Sequence, residues 1–396
     1  MRIAFDGTPL TQLLTGVGYF TAHQLRHLAK EAAGDELVVV SNREMSPETI
    51  PEGVATWRAH RFPIRMLWMQ MLAPLVLRSV SPKVAHFTNS ISPLVKVAPT
   101  VVTIHDMTLR LLPGSHPPRR RIVRVLVGLS ARRADAIITL SESARNDIVR
   151  LLGVPSERVH IVYGAAAPGF RRITDQEHLE AIRRKYRLPE RFVLSLGTIE
   201  PRKNLPRLLN AFARLKKANR FPLQLVHVGD LGWGYQALRR RIAALGLEND
   251  VMLTGYLPFS DLPALYNLCE LFVFPSLYEG FGLPVIEAMA CGAPVIASNS
   301  SSLPEVFGEA AEPVDPEQEE SISGAILKLV CNPGLRAELS AKGLARTAMF
   351  SWTTAARQTL KVYRGILGDQ GPQGPQGHQG PQGHQGPQGH QGHQGR

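Results

Sequence analysis

Covalent cross-linking has little to work with in this chain. Its three cysteines, Cys269, Cys291 and Cys331, are scattered without pairing logic or metal-ligand spacing. That excludes a disulfide-stapled scaffold and points to a reducing compartment. No uninterrupted apolar run reaches the roughly 20 residues needed to span a bilayer. Met1 leads straight into Arg2-Ile3-Ala4-Phe5-Asp6, a strand-like run rather than a basic and apolar signal segment. A cytoplasmic protein is therefore expected, touching the inner face of a membrane only peripherally. An Asp-x-Asp pair is also missing from the whole sequence. Apolar material is not scarce: 44% of residues are hydrophobic against 20% charged, enough for ordinary cores.

The 396 residues suit two domains. In the first half, short apolar runs at 2–6, 37–41, 84–87, 101–105, 136–141 and 159–163 read as strands, with helical patterns between them, as at 19–29 and 121–133. The alternation restarts at 192–196 and continues through 223–228, 251–253, 271–274 and 295–297. Strands alternating with helices imply a parallel sheet covered on both faces. Two such arrays predict an α/β protein of two facing doubly wound domains, with ligands bound in the cleft at the strand C-terminal ends. The boundary is predicted within 164–172, where Ala165-Ala166-Ala167-Pro168-Gly169 is small and turn-prone. That gives an N-terminal domain at 1–168 and a C-terminal domain at 169–350. A helix at 351–367 and a tail at 368–396 follow.

Charge is uneven. The chain carries a net +12, and residues 1–170 hold 20 Lys/Arg against 12 Asp/Glu while the rest holds 25 against 21. A basic N-terminal half suits anionic lipid or a pyrophosphate-bearing acceptor. It equally suits a plainly solvated basic surface. No nucleic-acid-binding motif accompanies it. From Gly368 to Gly395 every third residue is glycine, filled, after a first Asp-Gln, with Pro-Gln or His-Gln. The period is collagen's, but the tract is short and glutamine fills its third position, so a disordered tail is expected over a trimerising one. No metal site is read into His378, His384, His390 and His393.

The richest stretch runs from Pro275 to Gly292. After the apolar run 271–274 it places Glu279 and Glu287 eight residues apart, with Gly280, Phe281, Gly282 and Leu283 between them and a helix start at Pro284. Glu279 leaves the strand end, residues 280–283 offer free backbone amides, and Glu287 lies about one turn into the helix. Carboxylates grip hydroxyls, while loop amides and a helix N-terminus accept anionic oxygens. A ligand with hydroxyls at both ends and negative charge in the middle fits, which describes a nucleotide-sugar. The alternative is a loop glutamate and a solvated helix glutamate.

Tyr278-Glu279-Gly280-Phe281-Gly282-Leu283-Pro284 through Glu287-Ala288-Met289-Ala290 resembles the paired-glutamate motif of family 4 retaining glycosyltransferases. Gly255-Tyr256-Leu257 and Ser302-Leu303-Pro304-Glu305-Val306, followed by Gly308, resemble flanking segments of that family. The resemblance runs from Met1 to about Leu367 and is nearest to the mannosyltransferase-like branch of bacterial polysaccharide synthesis. It implies the two-domain arrangement called GT-B, a last helix that returns across the N-terminal domain, and a nucleotide-sugar donor. It also implies that Glu287 binds the donor's ribose and that Glu279 faces the transferred sugar.

A retaining transferase must stabilise a departing diphosphate. Arg202 and Lys203, after the strand 192–196 and ahead of a helix that Asn204 is predicted to cap, lie where cation charge is unfavourable unless an anion is present. The resemblance assigns them to the diphosphate. Thr198 stands where some family members carry a further arginine. The other major glycosyltransferase fold holds a divalent metal with Asp-x-Asp, so the lack of that motif argues for metal-free catalysis, with no cofactor beyond the donor.

Gly16 and Gly18, in a short glycine loop opening a helix, can bring amides close to phosphate. The resemblance places this loop near the diphosphate and acceptor. His105 ends a strand at the cleft and is implied to touch the donor sugar, with Asp106 orienting its imidazole. Asp230, in the loop Gly229-Asp230-Leu231-Gly232-Trp233, is a minor nucleotide-side candidate. Ser141-Glu142-Ser143 is read equally as cleft lining and as helix capping. Tyr163-Gly164-Ala165 departs from the family's Asn-Gly at the crossover.

Residues 62–80 and 119–124 are basic and amphipathic and could lie in a lipid interface, or be packing helices with basic outer faces. The reading reached is a metal-independent retaining hexosyltransferase, with mannose as the candidate sugar and a saccharide or lipid-pyrophosphate-linked acceptor. A nucleotide-sugar epimerase of the same fold, or a non-catalytic assembly protein trimerised by the tail, are the alternatives.

Overall fold

The computed structural model describes residues 1–368 apart from 13, 46–49, 53, 59–61, 63, 116–120, 218–220 and 233. The Gly-x-y tail, Arg61, Arg119, Arg120 and Trp233 lie outside the described residues. Seven strands build the first sheet: β1 Arg2–Asp6, β2 Glu36–Ser41, β3 Ala55–Arg58, β4 Val84–Phe87, β5 Thr100–Thr103, β6 Ala136–Thr139 and β7 Val159–Ile161, in the order β3-β2-β1-β4-β5-β6-β7. Six build the second: β8 Phe192–Leu196, β9 Gln224–Val228, β10 Val251–Gly255, β11 Leu271–Phe274, β12 Val295–Ser298 and β13 Ala311–Val314, in the order β10-β9-β8-β11-β12-β13. All pairings are parallel.

Central strands such as β6 (Ala-Ile-Ile-Thr) and β11 (Leu-Phe-Val-Phe) are buried at every position. A strand covered by helices on both faces has no polar side to alternate with. Each sheet reverses its strand order once, at β1/β4 and at β8/β11. A doubly wound sheet opens a crevice at that reversal, at the strand C-terminal ends. The two crevices face each other and form the cleft.

Two edge strands, β3 and β13, escape the sequence reading. β13 contains Glu312 and Pro313, and proline is tolerated in a sheet only where its missing N–H is not needed. β3 has only four residues, one of them Arg58. Neither carries the apolar run that marks its neighbours.

The last helix, Trp352–Ile366, packs on the helix Gly16–Glu31 of the first sheet. Gln24 Nε2 donates to Thr359 Oγ1 at 3.1 Å, and Arg357 pairs with Glu31 at 2.7 Å. The buried Tyr363 hydroxyl meets His86 on β4. The chain's end therefore straps the N-terminal sheet.

Candidate active site

The second-sheet wall of the cleft starts where β8 ends. Residues 197–200 lead into a 3₁₀ turn, Pro201–Lys203, and Asn204 then adopts a left-handed conformation (φ 61°) before the helix Leu205–Lys217. Asn204 therefore does not cap the helix through its side chain. Its Nδ2 donates to the carbonyls of Pro275 (3.0 Å) and Pro316 (2.6 Å), tying three loops together. Arg202 and Lys203 consequently lie in a separate turn ahead of the helix rather than in its first turn.

Their counter-ion is Glu279. Arg202 Nη1 and Lys203 Nζ each donate to a different Glu279 oxygen at 2.6 Å, and Arg202 Nε pairs with Glu200 at 2.6 Å. Lys203 also sits over the Phe274 ring at 4.6 Å. Burial alone would raise the Glu279 carboxyl, but the charges of Arg202 and Lys203 outweigh it and hold it at about 2. Burial and the Arg202 charge lower the Lys203 ammonium against the opposing pull of Glu279. A desolvated charge cluster of this kind persists only while each member is paired.

Three consecutive serines brace the Glu279 loop. Ser300 Oγ donates to Leu277 O, Ser301 Oγ accepts from Glu279 N, and Ser302 Oγ donates to Glu279 O and Phe281 O. Gly282 has φ 105°, a left-handed value suited to glycine, just before the helix Leu283–Ala290. The amides of Gly280, Phe281, Gly282 and Leu283 donate to no protein acceptor among the described residues. They precede a helix N-terminus, where anionic oxygens are favoured. Glu287, on the buried face of that helix, accepts from Tyr266 Oη at 3.2 Å, and burial pushes its carboxyl up to about 7. Tyr19 from the opposite wall stacks on Phe259 (centroids 3.7 Å apart) close to Glu287, with its hydroxyl 3.5 Å from that of Tyr256.

The first-sheet wall supplies His105, Asp106 and the loop after β4. His105 Nε2 donates to Thr88 O at 2.8 Å, which fixes the tautomer, and burial lowers the imidazole so that it is neutral near pH 7. A cavity of about 210 Å³ opens beside it, with Asn89, Ser90, Asp106, Arg110 and Arg124 on one side and Glu200 and Arg202 on the other. The walls touch at Gly280, where a Cβ would fall 2.0 Å from the carbonyl oxygen of His105. Farther out, the N-terminus of the helix Glu142–Leu152 grips Glu305 from the second domain. The amides of Glu142 (2.9 Å) and Ser143 (3.4 Å) donate to its carboxylate, as does Tyr163 Oη (2.7 Å).

Residues 14–169 match the model of the family described as Glycosyltransferase Family 4, and residues 179–346 the one described as Glycosyl transferases group 1. The O-antigen chain mannosyltransferase B of Escherichia coli is 32% identical over 381 residues, covering 92% of this chain and all of that protein. The chain belongs to glycosyltransferase family 4. The E. coli serotype-specific mannosyltransferase WbdA is 38% identical over 239 residues, 59% of this chain and 29% of that protein. Two solved structures share the GT-B fold of this glycosyltransferase. Sucrose-phosphate synthase of Thermosynechococcus elongatus has a TM-score of 0.74 at 22% identity, covering 93% of this chain and 99% of that one. Anabaena HepE in complex with UDP-glucose has a TM-score of 0.74 at 20% identity, covering 92% and 100%.

In this family 4 enzyme Arg202, Lys203, Glu279 and His105 converge on one cleft, and Glu287 lies at its other end. Several expectations need correction. Asp106 does not orient the imidazole: its Oδ1 accepts from Thr108 N and Thr108 Oγ1, and Thr88 holds His105 instead. Gly16 and Gly18 do not form a loop before a helix. They lie in the first turn of the helix Gly16–Glu31, with Gly16 exposed, Gly18 buried, and Val17 between them on the cavity. The Phe281 side chain turns away from the cleft and stacks on Tyr163, so only its backbone is available to a ligand. Ser141 is both cap and cleft residue: its hydroxyl accepts from Ala144 N and donates to Gly280 O.

The sequence reading gave no role to Glu200, Tyr19, Tyr266, Glu305 or the serine run. An acidic residue two before an arginine was the available signal for Glu200. The run Ser300-Ser301-Ser302 signals nothing until β12 places it beneath the Glu279 loop. Among the described residues no group of three or more His, Cys, Asp or Glu side chains is arranged to hold a metal ion, and no helix is long and apolar enough to cross a membrane.

Proposed function

We propose that this glycosyltransferase moves a hexosyl group, mannose first among those to test, from a nucleotide-sugar to a saccharide or lipid-pyrophosphate-linked acceptor in surface polysaccharide synthesis. It does so with retention of configuration and without a metal, on the cytoplasmic side of a membrane that it touches peripherally. The observation that carries the proposal is the Arg202–Lys203 pair at the cleft, both closed on the buried Glu279 carboxylate. A diphosphate offers the same cations more charge than Glu279 does, and they neutralise it as the anomeric C–O bond breaks. Glu279, released from them, turns to the sugar's hydroxyls, and Glu287 accepts from the ribose.

The acceptor hydroxyl enters from the 210 Å³ cavity. Its oxygen bonds to the anomeric carbon on the face that the leaving oxygen quits, and its proton passes to the departing diphosphate. His105 packs against the donor sugar as a neutral imidazole. Positioning and leaving-group stabilisation supply the rate. The names of the E. coli relatives support mannose and polysaccharide synthesis. The three unpaired cysteines support a cytoplasmic location.

The test is product analysis with GDP-mannose and UDP-glucose, with and without EDTA, reading the anomeric configuration by NMR. An α-linked product from an α-linked donor, unaffected by EDTA, is expected. A free epimer would replace transfer by epimerisation. Loss of activity in EDTA, restored by Mn²⁺, would overturn the metal-free mechanism.

A further inference from the structure

The helical segment ahead of β4 does not pack as a helix with a basic outer face. It runs from Arg65 to Val80 through a π turn at Trp68–Leu72, a geometry frequent at functional sites. Trp68, Met69, Val76 and Leu77 point into the core. Outward point Ile64 (54% exposed), Leu67 (44%), Met71 (64%) and Leu75 (56%). Their spacing of three and four residues lines them along one face. Arg78 continues the same line.

A second patch adjoins the first. Gln70 holds the loop behind β4 through Ser92 O and Leu94 N, and Ser92 N donates to Ser130 on the helix Arg121–Arg133. That loop exposes Val95 (51%). The start of the 121–133 helix exposes Ile122 and Val125 (58% each), beside the exposed Arg121 and Arg124. Seven of the twelve large exposed apolar side chains among the described residues therefore belong to these three neighbouring segments.

Charge in this stretch of the sequence is mostly of one sign. Residues 53–135 contain 13 Lys/Arg and two carboxylates, Asp106, which faces the cleft, and Asp135, which pairs with Lys96 beside Val95. A protein interface keeps charge out of its apolar core, whereas here the exposed Arg78, Arg121 and Arg124 stand among the apolar side chains. A second copy meeting this patch across a two-fold axis would set arginines against arginines.

We infer that this face, formed by the 65–80 helix, the Val95 loop and the start of the 121–133 helix, docks on a bilayer surface rich in anionic lipid. Apolar side chains enter the headgroup boundary while arginines meet lipid phosphates. Arg124 and Val127 of the same helix line the acceptor-side cavity. Docking therefore brings that cavity to the surface where a lipid-linked acceptor lies. The inference deepens the proposed acceptor class and rests on it for its purpose, but it can fail separately.

The experiment is co-sedimentation of the full chain with vesicles of phosphatidylcholine alone and of phosphatidylcholine mixed with phosphatidylglycerol. It compares the native chain with Met71→Ser/Leu75→Ser and Ile122→Ser/Val125→Ser. All four side chains are exposed, so unchanged thermal melting shows that the variants fold. The native chain is expected to bind only the mixed vesicles and to release in high salt. Each double variant should lose on the order of tenfold in partitioning, with unchanged turnover on a water-soluble acceptor. Equal binding to pure phosphatidylcholine, no binding to either vesicle, native-like binding by the variants, or a self-association that the variants abolish would each overturn the inference. Turnover on the soluble acceptor reports separately on the transferase reading.

Discussion

The two walls of the cleft share a strand order but present different surfaces. On the second-domain wall the ionised groups are paired in advance, Glu279 and Lys203 buried and Arg202 and Glu200 half-buried at the cavity. On the first-domain wall His105 is neutral, Asp106 is spent on Thr108, and Arg124 is exposed beside apolar side chains. A fixed, paired charge cluster suits one ligand of constant chemistry, such as a diphosphate. A half-open polar wall next to an apolar rim suits a larger and more variable acceptor. Under the proposed reaction, one fold separates gripping the leaving group from admitting the nucleophile.

The largest expected effect tests the donor wall. Lys203→Ala should lower turnover by roughly 10²–10³, the scale for removing one donor that stabilises developing charge, and Arg202→Ala should act similarly. Steady-state kinetics decide this. A double variant with near-native turnover would leave the two walls equivalent.

Within that wall Glu279 and Glu287 differ in turn, and pH sharpens the difference. Glu287, ordinarily at 4.5, is pushed up to about 7 by burial. Folding therefore binds a proton between these values, and its favourable contribution fades as pH rises through 7. A ligand donating hydroxyls to the ionised carboxylate reverses the preference. Nucleotide affinity of the native chain should rise about tenfold more between pH 6 and 8 than that of Glu287→Gln. Parallel pH profiles would refute a ribose role. Glu279 has the opposite sign: held at about 2, it contributes stability above its ordinary 4.5 that is lost as pH falls toward 2.

The contact between the walls should cost less to break. Glu305→Ala removes an acceptor from a helix N-terminus, worth about 1 kcal/mol, and should lower the melting temperature by a few degrees at most. A melting point unchanged to within error would mean that the contact carries no stability. The smallest effect is expected from deleting residues 369–396, which contain no aliphatic or aromatic core-forming side chain besides proline. Turnover and melting temperature should not move, and a change in oligomeric state would reinstate the trimerising tail.

Much of this architecture was legible because buried parallel strands write themselves as apolar runs: β1, β4, β8 and β11 fall where the sequence places them. The edge strands β3 and β13 were not, since an edge needs neither continuous apolarity nor a full set of N–H donors. In the cleft, Arg202, Lys203, Glu279 and Glu287 were singled out by their spacing together with the family resemblance. Their pairing was not: nothing local says that the anion facing Arg202 and Lys203 is Glu279, 77 residues from the arginine. Asn204 misled because its side-chain type favours a cap, while its left-handed backbone and distant carbonyl partners come from tertiary packing.

The central claim is that the cationic pair is a diphosphate cradle whose resting occupant is the Glu279 carboxylate. Calorimetric titration of the nucleoside diphosphate into the native chain, Glu279→Gln and Glu287→Gln tests it most directly. Glu279→Gln should bind at least as tightly as the native chain while losing turnover, because the ligand no longer displaces a carboxylate, and Glu287→Gln should bind more weakly. Equal weakening in both variants would contradict the account.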